Sequence, residues 1–248
     1  MSSIYILWIR QLKRYVRSRS RIVSSLGQPV LYLIALGFGF GPIFQKAGEG
    51  SYLQFLAPGV VGMTILFTAM FNGIELIWDR QFGFLKETMV APVPRVLIML
   101  GRTFGGATVA VIQGLIVVIV CVVAGFRPVN WTFVPVAFTF MVLIGFSFTA
   151  LGTAIASLLS DFQGFQLVMN FLVMPIYFLS GALYPLRNAP PVLEAIARID
   201  PLAYGIDGLR AAFLGSSHFG LVTDFAVLGF AAILFLALGS YFFHRIQL

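Results

Sequence analysis

A chain of 248 residues that is 59% hydrophobic and only 10% charged lies far from a soluble domain, where about a quarter of residues are charged. Its mean hydropathy of +0.96 excludes a soluble core as the explanation and predicts an all-α integral membrane protein. The net charge of +7 does not point to nucleic acid, because the cations sit beside apolar segments, where topology and anionic headgroups account for them.

The first element, residues 1–22, carries six basic groups and no compact apolar core ending in a cleavage site, so no cleavable signal peptide is expected. Tyr5, Trp8, Ile9, Leu12, Tyr15 and Val16 follow helical spacing, while Arg10, Lys13, Arg14 and Arg17 take the remaining surface. Such a basic amphipathic helix, with aromatics at its apolar edge, is expected to lie in the headgroup plane. A charged flank that only fixes topology fits the same residues.

Six apolar windows follow, at 23–43, 55–77, 103–125, 132–158, 166–184 and 223–243, each near the roughly 20 residues a bilayer requires. Pro29 falls in the first turns of the first window, and Pro175 inside the fifth is expected to kink it. With both termini inside, the inner side carries eleven basic residues against five outside, which favours an N-in, C-in arrangement. No segment repeats another and no linker marks a second domain. Gly145, Gly152 and Ala156 in the fourth window permit close helix packing. Cys121 stands alone in an apolar run, which excludes a disulfide framework.

Between the second and third windows, residues 79–102 form a loop. Its centre is apolar, at Phe84, Leu85, Met89 and Val90, and Pro92 and Pro94 stop any helix there. A short helix exposing such residues is odd in water unless it docks into a groove; a basic loop retained by the positive-inside rule is the alternative. Residues 185–222 interrupt the last two windows. Val192, Leu193, Ile196, Ala197 and Ile199, and then Leu202, Ile206 and Leu209, keep helical spacing in pieces too short to span. Two short re-entrant or outer helices are therefore expected. Asp207 and Arg210 stand at i, i+3 and could pair on one face, or form a solvated pair of little consequence.

Three intramembrane acids need partners, because a charge there is costly. Glu75 is expected to snorkel or to contact a neighbouring helix. Asp161 is expected to cap the turn before the fifth window, and Asp224 to sit at the favourable N-terminus of the sixth. His218 and His244 are the two imidazoles, and no HExxH or CxxC spacing points to a metal. No phosphate-cradling G-x-x-x-x-G-K-[ST] loop is present, so no catalytic residue and no cofactor site is expected in this chain.

The run Ser180-Gly181-Ala182-Leu183-Tyr184-Pro185, followed by Pro190-Pro191, Asp200-Pro201-Leu202-Ala203-Tyr204 and Asp207-Gly208-Leu209-Arg210, closely resembles the last third of ABC-2 type transport permeases. The loop agrees at Arg80, Gly83, Leu85, Glu87, Pro92 and Arg95 with that family's coupling helix. It departs at Gln81, where many relatives are acidic, and Asp200 stands where an asparagine is common. The resemblance implies one transmembrane domain over the whole chain, 1–248, preceded by an interfacial helix. Arg80, Gly83, Phe84, Leu85, Lys86, Glu87 and Pro92 would engage the ATPase. Ser180, Gly181, Pro185, Pro201, Tyr204, Asp207 and Arg210 would form an external gate.

It further implies an ABC ATP-binding subunit that holds ATP and Mg, a second permease copy (a homodimer), and a multi-pass place in a bacterial inner membrane. Since six windows show no internal duplication, a two-fold pathway requires that second chain. The substrate expected is an amphiphile or lipid-like molecule, because no cationic cluster lies in the windows; polysaccharide or lipo-oligosaccharide export is the alternative. Phe138, Phe140, Phe146 and Phe148 fit either the pathway or the lipid face. An ion-coupled carrier would need paired midplane charges or broken helices in two halves, and neither pattern is found.

Overall fold

The computed structural model describes residues 3–46, 51–90, 93–129 and 131–246. The described residues form helices and turns without strands: α1 (Ser3–Arg17), α2 (Arg19–Lys46), α3 (Tyr52–Phe71), α4 (Ile74–Gln81), α5 (Phe84–Val90), α6 (Arg95–Val123), α7 (Val134–Leu158), α8 (Phe162–Leu179), α9 (Pro191–Ala197), α10 (Pro201–Leu214) and α11 (Leu221–His244). Among them are six segments long and apolar enough to cross a membrane, in α2, α3 with α4, α6, α7, α8 and α11.

The segment limits differ from the sequence expectation in ways the backbone explains. α6 starts at Arg95 rather than 103, because Pro94 holds an extended ψ of 132° and the apolar residues after it continue the helix. Residues 95–102 therefore belong to the span, leaving α5 and the turns around it, within 82–94, between the two spans. Asp161 caps α8, its Oδ1 accepting from the Gly164 amide at 2.6 Å, which starts the fifth span at Phe162. That span ends at Leu179, because Gly181, at φ +76°, turns the chain back. α2 begins at Arg19, so Pro29 lies well inside the helix rather than in its first turns.

α3 is the hub. From Leu56 to Leu66 it is continuously buried, packed by α2, α6, α7 and α10. α2, α8 and α11 instead turn most of their apolar surface outward, with Phe38, Phe171 and Phe230 largely exposed. In lipid such faces gain nothing by burial, so association rests on close packing and polar satisfaction. Gly73 and Gly152 supply that closeness, since a Cβ on Gly73 would meet the Gly152 carbonyl oxygen at 2.4 Å. The α3–α4 break therefore lies where the chain crosses α7.

Candidate functional site

Two charged arrangements occupy opposite ends of the bundle. At the end carrying both termini, Asp79 of α4 is 4% exposed and uses both oxygens. Oδ1 accepts from Arg10 of α1 at 2.7 Å, and Oδ2 from Arg102 of α6 at 2.5 Å. One turn earlier, Glu75 faces Arg14 at 3.7 Å, and the Arg14 guanidinium stands 5.3 Å from the Trp78 ring. Glu75 thus makes the helix contact that was one of its two expected fates.

The same pairs anchor α1. Ile4 and Leu7 approach Gly101, Gln11 approaches Gly105, Trp8 donates to Thr108 Oγ1 at 3.0 Å, and the Tyr15 hydroxyl donates to Gln113 Oε1. The contacts advance together along both helices. α1 therefore packs lengthwise on the first half of α6, which covers part of the amphipathic helix expected from the sequence. Buried Tyr15 needs a polar partner, and Gln113 of α6 provides it.

Below Asp79 the chain passes through Gly83, whose φ of +80° is open to glycine at little cost, into α5. Arg80 closes α4, its carbonyl accepting from the Gly83 amide at 3.4 Å. Leu85 is fully buried, whereas Phe84, Lys86 and Val90 are exposed. Pro92 and the side chain of Glu87 lie outside the described residues. α5 thus pins one apolar residue to the bundle and offers others outward. Arg95 Nη1 donates to the His244 carbonyl, tying the start of α6 to the end of α11.

At the opposite end, a buried cation ties the α8–α10 connection to the bundle. Arg210 is buried, its Nη2 donating to the carbonyls of Gly181 at 2.9 Å and Ala182 at 3.0 Å, with its guanidinium 3.9 Å from the Phe55 ring of α3. Burial pulls Arg210 down to about 10, with Asp207 opposing the shift. Ser180 Oγ donates to the Tyr177 carbonyl at 2.7 Å and accepts from the Ala182 amide at 3.3 Å. Gly181 has no room for a side chain, since a Cβ would meet Leu186 at 2.6 Å. Pro185 precedes a short turn, Leu186–Asn188.

The expected Asp207–Arg210 pair does not form. Asp207 accepts instead from Ser217 Oγ at 2.9 Å and from the amides of His218 and Phe219, each at 2.8 Å. The loop returning to α11 wraps this carboxylate, while Arg210 faces α3 and the turn after α8. Asp224, in the first turn of α11, is fully buried beside Asp207. Its helix N-terminus therefore comes with a like charge. α10 opens with Pro201 and is capped by Asp200, whose Oδ1 accepts from Leu202 N at 2.9 Å. Burial pushes Asp200 up to about 7, the cap bond opposing it. Tyr204 donates to the Arg198 carbonyl at 2.8 Å.

Of the gate residues of the sequence reading, Ser180, Pro185, Asp207 and Arg210 line one cavity, with Gly181 held by Arg210 beside it; of the loop residues, Arg80 lies in α4, Gly83 in the turn, and Phe84, Leu85 and Lys86 in α5. Arg102 was missed, having been counted only as a topology charge at the edge of a window. The costly position of a guanidinium inside an apolar helix was the available signal. Among the described residues no group of three or more His, Cys, Asp or Glu could hold a metal. A cavity of about 270 Å³ opens beside Arg210, Asp207, Phe55 and Gln54, and another of about 210 Å³ beside Tyr15, Thr64 and Gln113.

Comparison with known proteins places this geometry. Residues 2–214 match the family model described as ABC-2 type transporter. The inner membrane transport permease YadH of Escherichia coli strain K12 is 29% identical over 228 residues, covering 90% of this chain and 87% of that protein. Nodulation protein J of Rhizobium leguminosarum bv. trifolii is 29% identical over 236 residues, 91% and 86% respectively. The putative transport permease ycf38 of Cyanophora paradoxa is 30% identical over 224 residues, 88% and 76%. A match over most of the chain, joined to six apolar spans, shows that the chain belongs to the ABC-2 type transporter family, as a transmembrane permease.

Proposed function

We propose that this permease exports an amphiphilic molecule and draws its energy from a separate ATP-binding subunit docked on α5, where that subunit carries ATP and Mg. Family membership implies such a subunit. The observation that carries the proposal is the reach of α3 and α4. Their lower end leads through Gly83 into α5, and Asp79 ties it to α1 and α6. Their upper end supports the far turn, with Phe55 under Arg210 and Gly59 so close to Ala182 that a Cβ would stand 2.5 Å from its carbonyl oxygen. A push on α5 is thus delivered through packed helix to the Gly181–Ala182 turn. Interiors packed this tightly pass on a displacement instead of absorbing it.

In this reading α5 lies in the cytoplasm, both termini are inside, and the Arg210 cluster closes the outer mouth. The inner membrane named for the Escherichia coli relative is the expected location, and a second copy of the chain completes the pathway. Co-expression with an ATP-binding subunit that it binds tests the proposal. Gly83→Pro should abolish export while the protein still inserts and retains its subunit, because proline cannot adopt a φ of +80°. Normal export by that variant would sink the coupling assignment.

A further inference from the structure

A second cavity lies where α1, α2, α3 and α6 meet. It is about 210 Å³, and its lining includes Ser25, Gln28, Thr64, Thr68, Tyr15 and Gln113, with apolar Met63, Phe67 and Phe71 completing the wall. Among the described residues that line it none is charged, although Arg10, Arg14 and Arg17 stand on the adjoining helix. Thr64 and Gln113 fall well inside the apolar spans of α3 and α6, so the cavity is polar at a depth where lipid offers nothing polar.

Its hydrogen-bonding pattern is specific. Gln113 is fully buried, and its amide oxygen accepts from Tyr15, which leaves Nε2 with two hydrogens and no acceptor. A buried amide donor left unpaired is costly. The hydroxyls show the complementary deficit. Thr64 spends its hydrogen on the Val60 carbonyl at 2.9 Å, Ser24 on Ser20 at 2.5 Å, and Ser25 on Ile22 at 2.9 Å, so each offers lone pairs to the cavity. A wall that presents amide donors and hydroxyl acceptors together matches groups that both accept and donate. Hydroxyls do this. A carboxylate or phosphate would accept only and face those lone pairs.

We infer that this cavity binds the uncharged, hydroxyl-bearing headgroup of an amphiphile, with Gln113 as the principal donor and the aromatic wall of Phe67 and Phe71 receiving the start of the apolar chain. The inference rests on the permease reading for its transport meaning and names the chemistry of the cargo, but binding itself requires no ATP-binding subunit. The volume suits a single sugar or polyol unit, and exceeds the roughly 30 Å³ share of one water several-fold.

The test uses the full chain alone in phosphatidylcholine nanodiscs. Two photoactivatable probes share a diazirine-bearing decyl chain, one ending in glucose and the other in sulfate. The glucoside should label residues 24–29 and 63–71 saturably, with competition by unlabelled decyl glucoside. The sulfate should label them no more than it labels the exposed face of α8. Gln113→Leu should weaken glucoside labelling about tenfold, the value of one lost hydrogen bond to a buried donor. Thr68→Val removes a hydroxyl from a less buried position without changing side-chain shape, and should weaken labelling several-fold; it decides the matter if Gln113→Leu fails to fold. Equal labelling by both probes, no saturable labelling, or wild-type labelling in the variants that fold would overturn the inference. Because the assay omits the ATP-binding subunit, loss of export with intact labelling indicts the permease reading, and loss of labelling with intact export indicts the cavity.

Discussion

Replacing Asp79 by asparagine should destabilise the bundle, and the structure says which of its two arginines sets the cost. At 2.5 Å from Asp79, with both side chains about 95% buried, the Arg102 charge attracts the carboxylate by about 7 kcal/mol at an effective dielectric constant near 20. Desolvation of two buried ions cancels much of that gain. What the variant exposes is the converse: a guanidinium still buried in α6, its Nε already without a partner, and now without its counter-charge. Stranding one member of a buried pair costs about 3–5 kcal/mol. Arg10 is 41% exposed at its side chain, so solvent screens that contact to about 0–1 kcal/mol. In nanodiscs, thermal or denaturant unfolding of Asp79→Asn should therefore show a loss several times that of Arg10→Ala. The double variant Asp79→Leu, Arg102→Met should recover most of it by removing both charges. Equal losses from Asp79→Asn and Arg10→Ala, or a double variant no better than the single, would refute this account of the cluster.

Reversing charge on α5 with Glu87→Arg should lower substrate-stimulated ATPase activity in the reconstituted complex without altering insertion, as scored by activity per inserted molecule. Arg210→Ala should cut export at least tenfold, and exchanging Asp207 with Arg210 should leave export as low as the single changes do, because each serves different partners; transport assays on the three variants decide it. Asp200 has a folded pKa near 7, raised by burial above its ordinary value of 3.8. The folded state therefore holds a proton that the unfolded chain has lost, and stability falls as pH rises from about 4 to about 7. Asp200→Asn keeps a capping oxygen and removes that loss, so it should be the more stable protein at pH 8, by up to about 4 kcal/mol at roughly 1.4 kcal/mol per pKa unit, as unfolding midpoints across pH will show. Cysteines at Ser3 and Gln247 should resist an impermeant reagent added outside while one at Asn188 reacts.

The six spans were legible because continuous apolar runs of bilayer length leave few alternatives, and the cap at Asp161 because an acid before a helix has a local role. What remained hidden depended on neighbours distant in sequence. Helical spacing marks one face of α1 as apolar, but it does not say whether lipid or α6 covers that face. The i, i+3 spacing of Asp207 and Arg210 puts them on one side of α10. Their partners come from the turn at Gly181 and the loop at Ser217, which helical periodicity cannot place. Arg102 was read as a flank because Pro94 was not used as a helix start; taken as one, it puts the arginine inside the helix and in need of a counter-ion.

The central claim is that α3 and α4 carry motion from α5 to the far turn. Ala182 is fully buried against Gly59, so a cysteine there, in a Cys121→Ala background, reports any opening of that turn. The direct measurement is its labelling from outside, in vesicles holding the permease and its ATP-binding subunit, with and without ATP. The account predicts that ATP accelerates labelling of Ala182→Cys and that adding Gly83→Pro removes the acceleration while the subunit stays bound. Acceleration that persists with Gly83→Pro would contradict it.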